Sequence, residues 1–198
     1  MAFAFVFPGQ GSQYVGMMNA YGDSTVVRST FDEASAALGE DIWALVAKGP
    51  AETLAQTINT QPVMLAAAIA VFRLWREKGG KMPSVVAGHS LGEYSALVAA
   101  RVIPFRDAVP LVRLRALAMQ EAVPAGVGAM AAILNLDVGK IREVCAEILA
   151  DPGEGAVVEA VNFNAPEQTV IAGTKDAVER ACAACRAKGA KRAVVLPV

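Results

Sequence analysis

A serine between two glycines is the feature of the sequence best suited to chemistry. The stretch Gly88-His89-Ser90-Leu91-Gly92 follows a short apolar run that begins at Val85, and helix-forming residues continue to about Ala100. In a G-x-S-x-G turn the serine sits at a tight strand-to-helix bend, and the glycines let neighbouring backbone approach. The helix directs free N–H groups and its positive end at the serine oxygen. The pattern predicts a nucleophile elbow for acyl transfer, with the Leu91 N–H nearest to a developing oxyanion.

The base that such a serine needs is not evident from the sequence. His89 is the single histidine of the 198 residues. Adjacent side chains in this kind of turn point in different directions, so His89 is poorly placed to accept the Ser90 proton. We expect His89 to pack beneath the elbow. Two sources of a base stay open: a carboxylate of this chain, or a group outside these residues.

A second residue with chemical potential is Arg115. In the helix predicted from Pro104 to about Ala122, the neighbours of Arg115 at helical spacing are apolar, whereas Arg113 shares its side with polar residues. We therefore expect Arg115 to face inward and Arg113 to face outward. An inward arginine needs an anionic partner. The spacing allows either a structural ion pair or a fork that binds a substrate carboxylate through two hydrogen bonds.

Composition limits the class of protein. With 55% hydrophobic residues and a net charge of −1, the chain can bury a sizeable core and offers no general affinity for nucleic acid or a membrane surface. The apolar start has no basic leader, and the most apolar stretch, residues 63–72, is too short to span a bilayer. The three cysteines fit a reducing compartment, and Cys182 and Cys185 are interpreted as small residues on a helix face. We expect a soluble cytoplasmic protein without a metal site.

The order of predicted elements indicates an α/β chain in two parts. Residues 1–123 contain an apolar strand from Phe3 to Phe7, a glycine-rich turn over residues 8–13, the elbow and several helices. Because turns at the carboxyl ends of parallel strands share one edge of a sheet, we expect this first turn beside Ser90. Residues 124–198 show the β-α-β-β-α-β order of a ferredoxin-like unit. The first sheet is predicted to be incomplete, with more of its domain expected after Val198.

Several segments carry a resemblance to a known family. The chain resembles malonyl-CoA:acyl carrier protein transacylases, above all the stand-alone bacterial enzymes of type II fatty acid synthesis. The segments that carry this resemblance are spread along the whole chain: Phe5-Val6-Phe7-Pro8-Gly9-Gln10-Gly11-Ser12-Gln13, Gln61-Pro62, Gly88-His89-Ser90-Leu91-Gly92-Glu93-Tyr94-Ser95-Ala96-Leu97, Met119-Gln120 and Val161-Asn162-Phe163-Asn164.

The resemblance implies a fold, a reaction and roles. The fold is an α/β-hydrolase-like large subdomain with an inserted ferredoxin-like small subdomain. Ser90 would carry the malonyl ester, the Gln10 and Leu91 N–H groups would form the oxyanion hole, and Arg115 would bind the malonyl carboxylate. Malonyl-CoA would be the donor and acyl carrier protein the acceptor, with no cofactor. The family's catalytic histidine follows the last strand, at a position beyond Val198.

Two other classes of function stay open. A serine hydrolase or phospholipase with a Ser–Asp dyad would share the elbow, and a non-catalytic fragment would only bind acyl carrier protein. Basic residues concentrate at the end of the second part, where they form either a docking surface for an acidic carrier protein or a solvated helix face. This basic cluster consists of Lys175, Arg180, Arg186, Lys188, Lys191 and Arg192.

Overall fold

Two separate sheets organise the chain, each in its own unit. The computed structural model describes residues 2–21, 23–123, 126–150 and 155–196. The first unit is Met1–Glu121 and the second is Ala122–Val198. The predicted division between residues 123 and 124 rests on Pro124 and Ala125, which lie outside the described residues, so this boundary stays a prediction.

The first unit consists mainly of helices around a short parallel sheet. In chain order its elements are β1 (Ala4–Phe7), a 3-10 turn (Asn19–Tyr21), α1 (Thr25–Leu38), α2 (Ile42–Lys48), α3 (Ala51–Ala55), α4 (Thr57–Glu77), β2 (Val85–Gly88), α5 (Leu91–Ala99) and α6 (Phe105–Ala122). Local signals explain several ends: Ser24 caps α1, Asp41 caps α2, and Gly39 ends α1 in the left-handed conformation. Helix α3 is a single short turn of helix that was not predicted from the sequence.

Helix α4 is the core of the first unit, because most of its circumference is apolar and buried. It packs against α1 and α5, and Val63, Leu65 and Ala66 are fully buried. By length and a mean hydropathy of 1.2 this helix could cross a membrane, but 61% of its apolar window is buried inside the fold. That burial is typical of a core helix, and α4 supports the elbow helix from below.

Strands β1 and β2 form a two-stranded parallel sheet in register from Ala4 opposite Val85 to Phe7 opposite Gly88. One face of β1 packs on α4, where the ring centroids of Phe5 and Phe72 lie 5.7 Å apart. The other face is open in the described residues, because Val6 is 75% exposed and Val85 is 60% exposed. In the described residues the apolar strand β1 is therefore packed on one face only.

The second unit has the predicted ferredoxin-like topology. Its elements are β3 (Gly128–Leu134), α7 (Val138–Ala150), β4 (Val158–Ala165), β5 (Gln168–Thr174), α8 (Lys175–Ala187) and β6 (Arg192–Leu196). The antiparallel sheet has the order β4-β5-β3-β6, which the split β-α-β connection produces. Ile133 and Ile171 of the sheet pack with Val144 of α7 and Val178 of α8. The predicted α/β class is confirmed, with one parallel and one antiparallel sheet.

The three cysteines belong to the core of the second unit. Cys145, Cys182 and Cys185 are free and buried, and all three pack in its apolar cluster. Burial raises the pKa of each thiol, and the pKa of Cys185 reaches about 11. The interpretation of Cys182 and Cys185 as small residues on a buried helix face is confirmed. Among the described residues no group of three His, Cys, Asp or Glu side chains could hold a metal ion.

Candidate active site

Ser90 stands at a sharp turn between β2 and α5. Its backbone has φ 54° and ψ −115°, a conformation that non-glycine residues rarely adopt and that costs free energy to hold. The Ser90 side chain makes no capping bond to the helix that follows. The hydroxyl is thus held at the N-terminus of α5 without a bond to that helix, in the strand-to-helix turn that the G-x-S-x-G pattern predicted.

The two glycines of the motif are required by close backbone contacts. A Cβ on Gly88 would overlap the carbonyl group of Gly92, and a Cβ on Gly92 would overlap the Phe7 carbonyl oxygen and lie 3.0 Å from the Pro8 carbonyl oxygen. Any side chain at either position would push α5 away from the strand ends. The same contacts place the elbow directly against the turn that follows β1, so the expected proximity of the two turns is confirmed.

Arg115 reaches this site from helix α6. Its Nη2 donates to Ser90 Oγ at 2.9 Å, and its Nη1 donates to the Gln61 side-chain oxygen at 2.8 Å. The guanidinium carbon lies 5.6 Å from the centre of the Tyr94 ring, within the range of a cation–π contact. The prediction that Arg115 faces inward holds only in part, because its side chain is half-buried.

Gln61 was quoted in the sequence analysis only as part of a resembling segment, yet it is the most buried polar group at the site. It lies in α4 and has no exposed surface. Its Nε2 contacts Met119 Sδ at 3.4 Å, while its oxygen accepts from Arg115. The signal that could have found it is its position as the last polar residue before the apolar run of α4.

The two predicted oxyanion donors come from two turns, Leu91 from the elbow and Gln10 from the turn after β1. In the first turn of α5, the Gly92 and Glu93 N–H groups donate to the carbonyls of His89 and Ser90. The Leu91 N–H is therefore the donor of this turn that has no backbone acceptor among the described residues. Gln10 follows β1, and its side chain donates to Thr57 Oγ1 at 3.0 Å. That bond ties the glycine-rich turn to the start of α4.

His89 does not pack beneath the elbow, and that expectation is wrong. Along β2 the side chains alternate between a more exposed and a less exposed face. Val85, Ala87 and His89 all lie on the exposed face. In the described part of the chain no carboxylate or imidazole is hydrogen-bonded to Ser90 Oγ, whose recorded partner is Arg115. The one side chain that contacts Ser90 Oγ in the described residues, Arg115, is therefore not the base.

Arg113 also differs from its prediction. It does not face solvent: its side chain is 19% exposed and pairs with Glu40, and burial lowers the pKa of its guanidinium. The reason is that Glu40, just after α1, meets this side of α6. Two arginines two positions apart on one helix thus have separate partners, a carboxylate for Arg113 and the Ser90 hydroxyl for Arg115.

Comparison with known proteins agrees with this geometry. The family profile described as "Acyl transferase domain" matches residues 4–198. The chain belongs to the acyl transferase family. Within that family, the malonyl CoA-acyl carrier protein transacylase of Escherichia coli K12 is 60% identical over 197 residues, and the match covers 99% of this acyl transferase chain and 62% of the relative.

Solved acyl transferases have the same fold. The acyl-carrier-protein S-malonyltransferase of Burkholderia pseudomallei 1710b superposes with a TM-score of 0.94 at 66% identity, covering 100% of this chain and 63% of the other. A malonyl-transacylase solved in complex with a type II polyketide synthase acyl carrier protein is 56% identical, with a TM-score of 0.93, and the match covers 100% of this chain and 63% of that one. The chain thus spans somewhat less than two thirds of the length of these relatives.

Proposed function

We propose that this chain carries the nucleophile elbow of an acyltransferase that moves malonyl from malonyl-CoA to the phosphopantetheine thiol of acyl carrier protein. The observation that carries the proposal is the 2.9 Å hydrogen bond between Arg115 Nη2 and Ser90 Oγ. It brings a permanent cation, suited to a carboxylate, to the hydroxyl that is best placed to attack a thioester. The names of the relatives support the same substrate pair.

In the first half-reaction Ser90 Oγ attacks the thioester carbonyl carbon of malonyl-CoA. The hydroxyl proton passes to a base, negative charge develops on the carbonyl oxygen, and the C–S bond then breaks to release CoA. The Leu91 and Gln10 backbone N–H groups stabilise that oxyanion, and one such donor is worth about 2.7–4 kcal/mol in comparable sites. A guanidinium cannot be the base at neutral pH, so Arg115 has another role.

Arg115 binds the free carboxylate of the malonyl group. A planar guanidinium matches a carboxylate through two parallel N–H···O bonds. When it binds the substrate in this way, Nη2 gives up Ser90 Oγ, so that arrival of the carboxylate frees the hydroxyl that attacks. Tyr94 and Gln61 hold the guanidinium close to the elbow during the exchange.

In the second half-reaction the carrier-protein thiol attacks the malonyl-serine ester and restores Ser90, which makes the mechanism ping-pong. All of the chemistry involves substrate thioesters and protein groups, so the proposal includes no cofactor. We also propose that the protein acts in the cytoplasm and that its pathway is fatty acid synthesis. The alternative dyad hydrolase gains no support, because no aspartate among the described residues is hydrogen-bonded to Ser90.

Covalent loading of Ser90 tests the proposal. Intact mass spectrometry after mixing with malonyl-CoA should show one malonyl adduct, which the acyl carrier protein in its thiol form removes. Ser90→Ala should abolish the adduct. The matched control is Ser95→Ala, since Ser95 is buried on the same helix and its Oγ has no partner among the described residues. An adduct that persists on the Ser90 variant would refute the assignment.

A further inference from the structure

Gln61 combines complete burial with bonds to two residues of a neighbouring helix. Arg115 and Met119 lie one turn apart on α6, so they face the same amide of α4. A buried amide left without partners is costly, and every contact recorded for the Gln61 amide is with these two side chains. The amide therefore links the core helix directly to the arginine at the elbow.

The chemistry of the two partners decides which way the amide points. A guanidinium has only donors, so the Gln61 oxygen must face Arg115. A thioether has only a weak acceptor, so the Gln61 NH₂ group must face Met119. Rotating the amide by half a turn would set donor against donor at Arg115. The pair of contacts thus permits one orientation of Gln61, and with it one position for Nη1.

Fixing Nη1 also fixes the direction of Nη2, because the guanidinium is rigid and planar. With Nη1 on Gln61 and the ring of Tyr94 beside the guanidinium, the second fork nitrogen points at Ser90 Oγ. Ser90 and Tyr94 are themselves one turn apart on either side of the start of α5. Gln61 and Tyr94, the other two residues that contact the guanidinium, therefore belong to α4 and α5, which pack against each other.

We propose that Gln61 is a positioning residue that aims Arg115 and so determines the preference for acyl groups that carry a carboxylate. The inference rests on the proposed function and deepens it. Without the Gln61 oxygen, Arg115 Nη1 has lost its acceptor. The guanidinium then moves away from the position in which it would bind the malonyl carboxylate. An acetyl group has no carboxylate, so its loading does not depend on the fork.

The test compares malonyl and acetyl loading of Ser90 in Gln61→Leu, a variant that keeps most of the volume and removes the amide. Single-turnover loading is followed by intact mass over a range of malonyl-CoA and acetyl-CoA concentrations. The malonyl-to-acetyl ratio should fall about tenfold to a hundredfold, as expected when a charged donor loses a buried hydrogen bond. The loss should appear mainly in the malonyl-CoA concentration for half-maximal loading.

The matched control is Thr60→Val at the adjacent residue. Thr60 is equally buried and its hydroxyl donates to Leu54 O at 2.6 Å, with no bond to Arg115. This variant should lose stability without changing the malonyl-to-acetyl ratio. A ratio that falls equally in both variants, or that stays at the wild-type value in Gln61→Leu, would overturn the positioning role.

Two further measurements keep the inference separate from the proposed function and from misfolding. Met119→Leu removes only the sulfur acceptor and should lower the ratio in the same direction by a smaller factor; no change would count against the inference. Nitrogen-edited NMR of the Arg115 guanidinium should give separate Nη signals in the wild type that merge in Gln61→Leu. If the wild type forms no malonyl-Ser90, the proposed function fails, and the NMR signals still decide whether Gln61 holds Arg115. Unchanged Nη signals in Gln61→Leu would refute the positioning role.

Discussion

Arg115 Nη2 lies 2.9 Å from Ser90 Oγ, although the two residues are 25 positions apart, Ser90 in the turn before α5 and Arg115 in α6. The contact joins the strained elbow to the one arginine of α6 that turns toward it. In the proposed function, this contact places a cation where an acyl group with a negative charge would bind. It also separates the role of Arg115 from that of Arg113.

Replacing Arg115 with alanine should change acyl selectivity. Malonyl loading should fall by roughly thirty- to several-thousand-fold, the equivalent of about 2–5 kcal/mol for a charged pair in a water-poor site. Acetyl loading should be retained or improved, since acetyl never had this partner. Arg113→Ala is the control, because Arg113 lies on the same helix as Arg115 but pairs with Glu40, which follows α1, so this variant should affect stability only. Equal losses for both acyl groups would make Arg115 a structural residue.

Gly92→Ala should destabilise the first unit. Its Cβ would overlap the Phe7 carbonyl oxygen, which is backbone and cannot move aside cheaply. We expect a loss on the order of 1–3 kcal/mol in the free energy of unfolding, measured in urea, together with loss of Ser90 loading. In the control Gly139→Ala, the new Cβ would meet only the Asp137 side chain in the exposed first turn of α7. That variant should be near neutral, and an equally mild Gly92→Ala would contradict the close-approach argument.

The stability of the second unit should fall in alkaline solution. Burial raises the pKa of the Cys185 thiol from its ordinary value of 9.0 to about 11. As the pH rises above about 9, the unfolded chain loses this proton while the native protein keeps it, so the free energy of unfolding decreases toward pH 11. Urea titrations between about pH 8 and about 10 should show a shallower decrease for Cys185→Ala than for the wild type. Identical slopes would show that Cys185 does not titrate as its burial predicts.

Charge reversal of the basic cluster should weaken use of the carrier protein. Lys188 pairs with Glu147 and Arg186 donates to Ala193 O at 2.5 Å, whereas Lys191 and Arg192 are exposed at the start of β6. Changing Lys191 and Arg192 to Glu should raise the KM for acyl carrier protein and reduce its salt dependence, because steering acts on the association rate. Loading from malonyl-CoA should barely change.

The control for this charge reversal is a double variant with the same change in net charge at two lysines of the first unit. Lys78 and Lys81 are exposed residues of the first unit, and their reversal to Glu should leave carrier-protein kinetics at the wild-type level. If the Lys191 and Arg192 variant behaved like this control, the cluster would be a solvated face with no part in docking.

The sequence by itself determined the local features of this protein. Glycines and hydrophobic periodicity are short-range signals, so they located the elbow at Ser90 and the ferredoxin-like order of the second unit. The requirement for Gly88 and Gly92 also followed from the motif, since a strand-to-helix bend leaves no room for a Cβ.

Only the tertiary structure decided which side chains meet. Helical spacing indicated that Arg115 has an apolar environment, but not that Gln61, 54 residues away, would hold one of its nitrogens. The same spacing put Arg113 in solvent, because it contains no information about Glu40 on another element. Periodicity describes one helix at a time, whereas partners across helices depend on how α1, α4, α5 and α6 pack. The packing of those helices is what brings the Arg115 guanidinium within hydrogen-bond distance of the Ser90 hydroxyl.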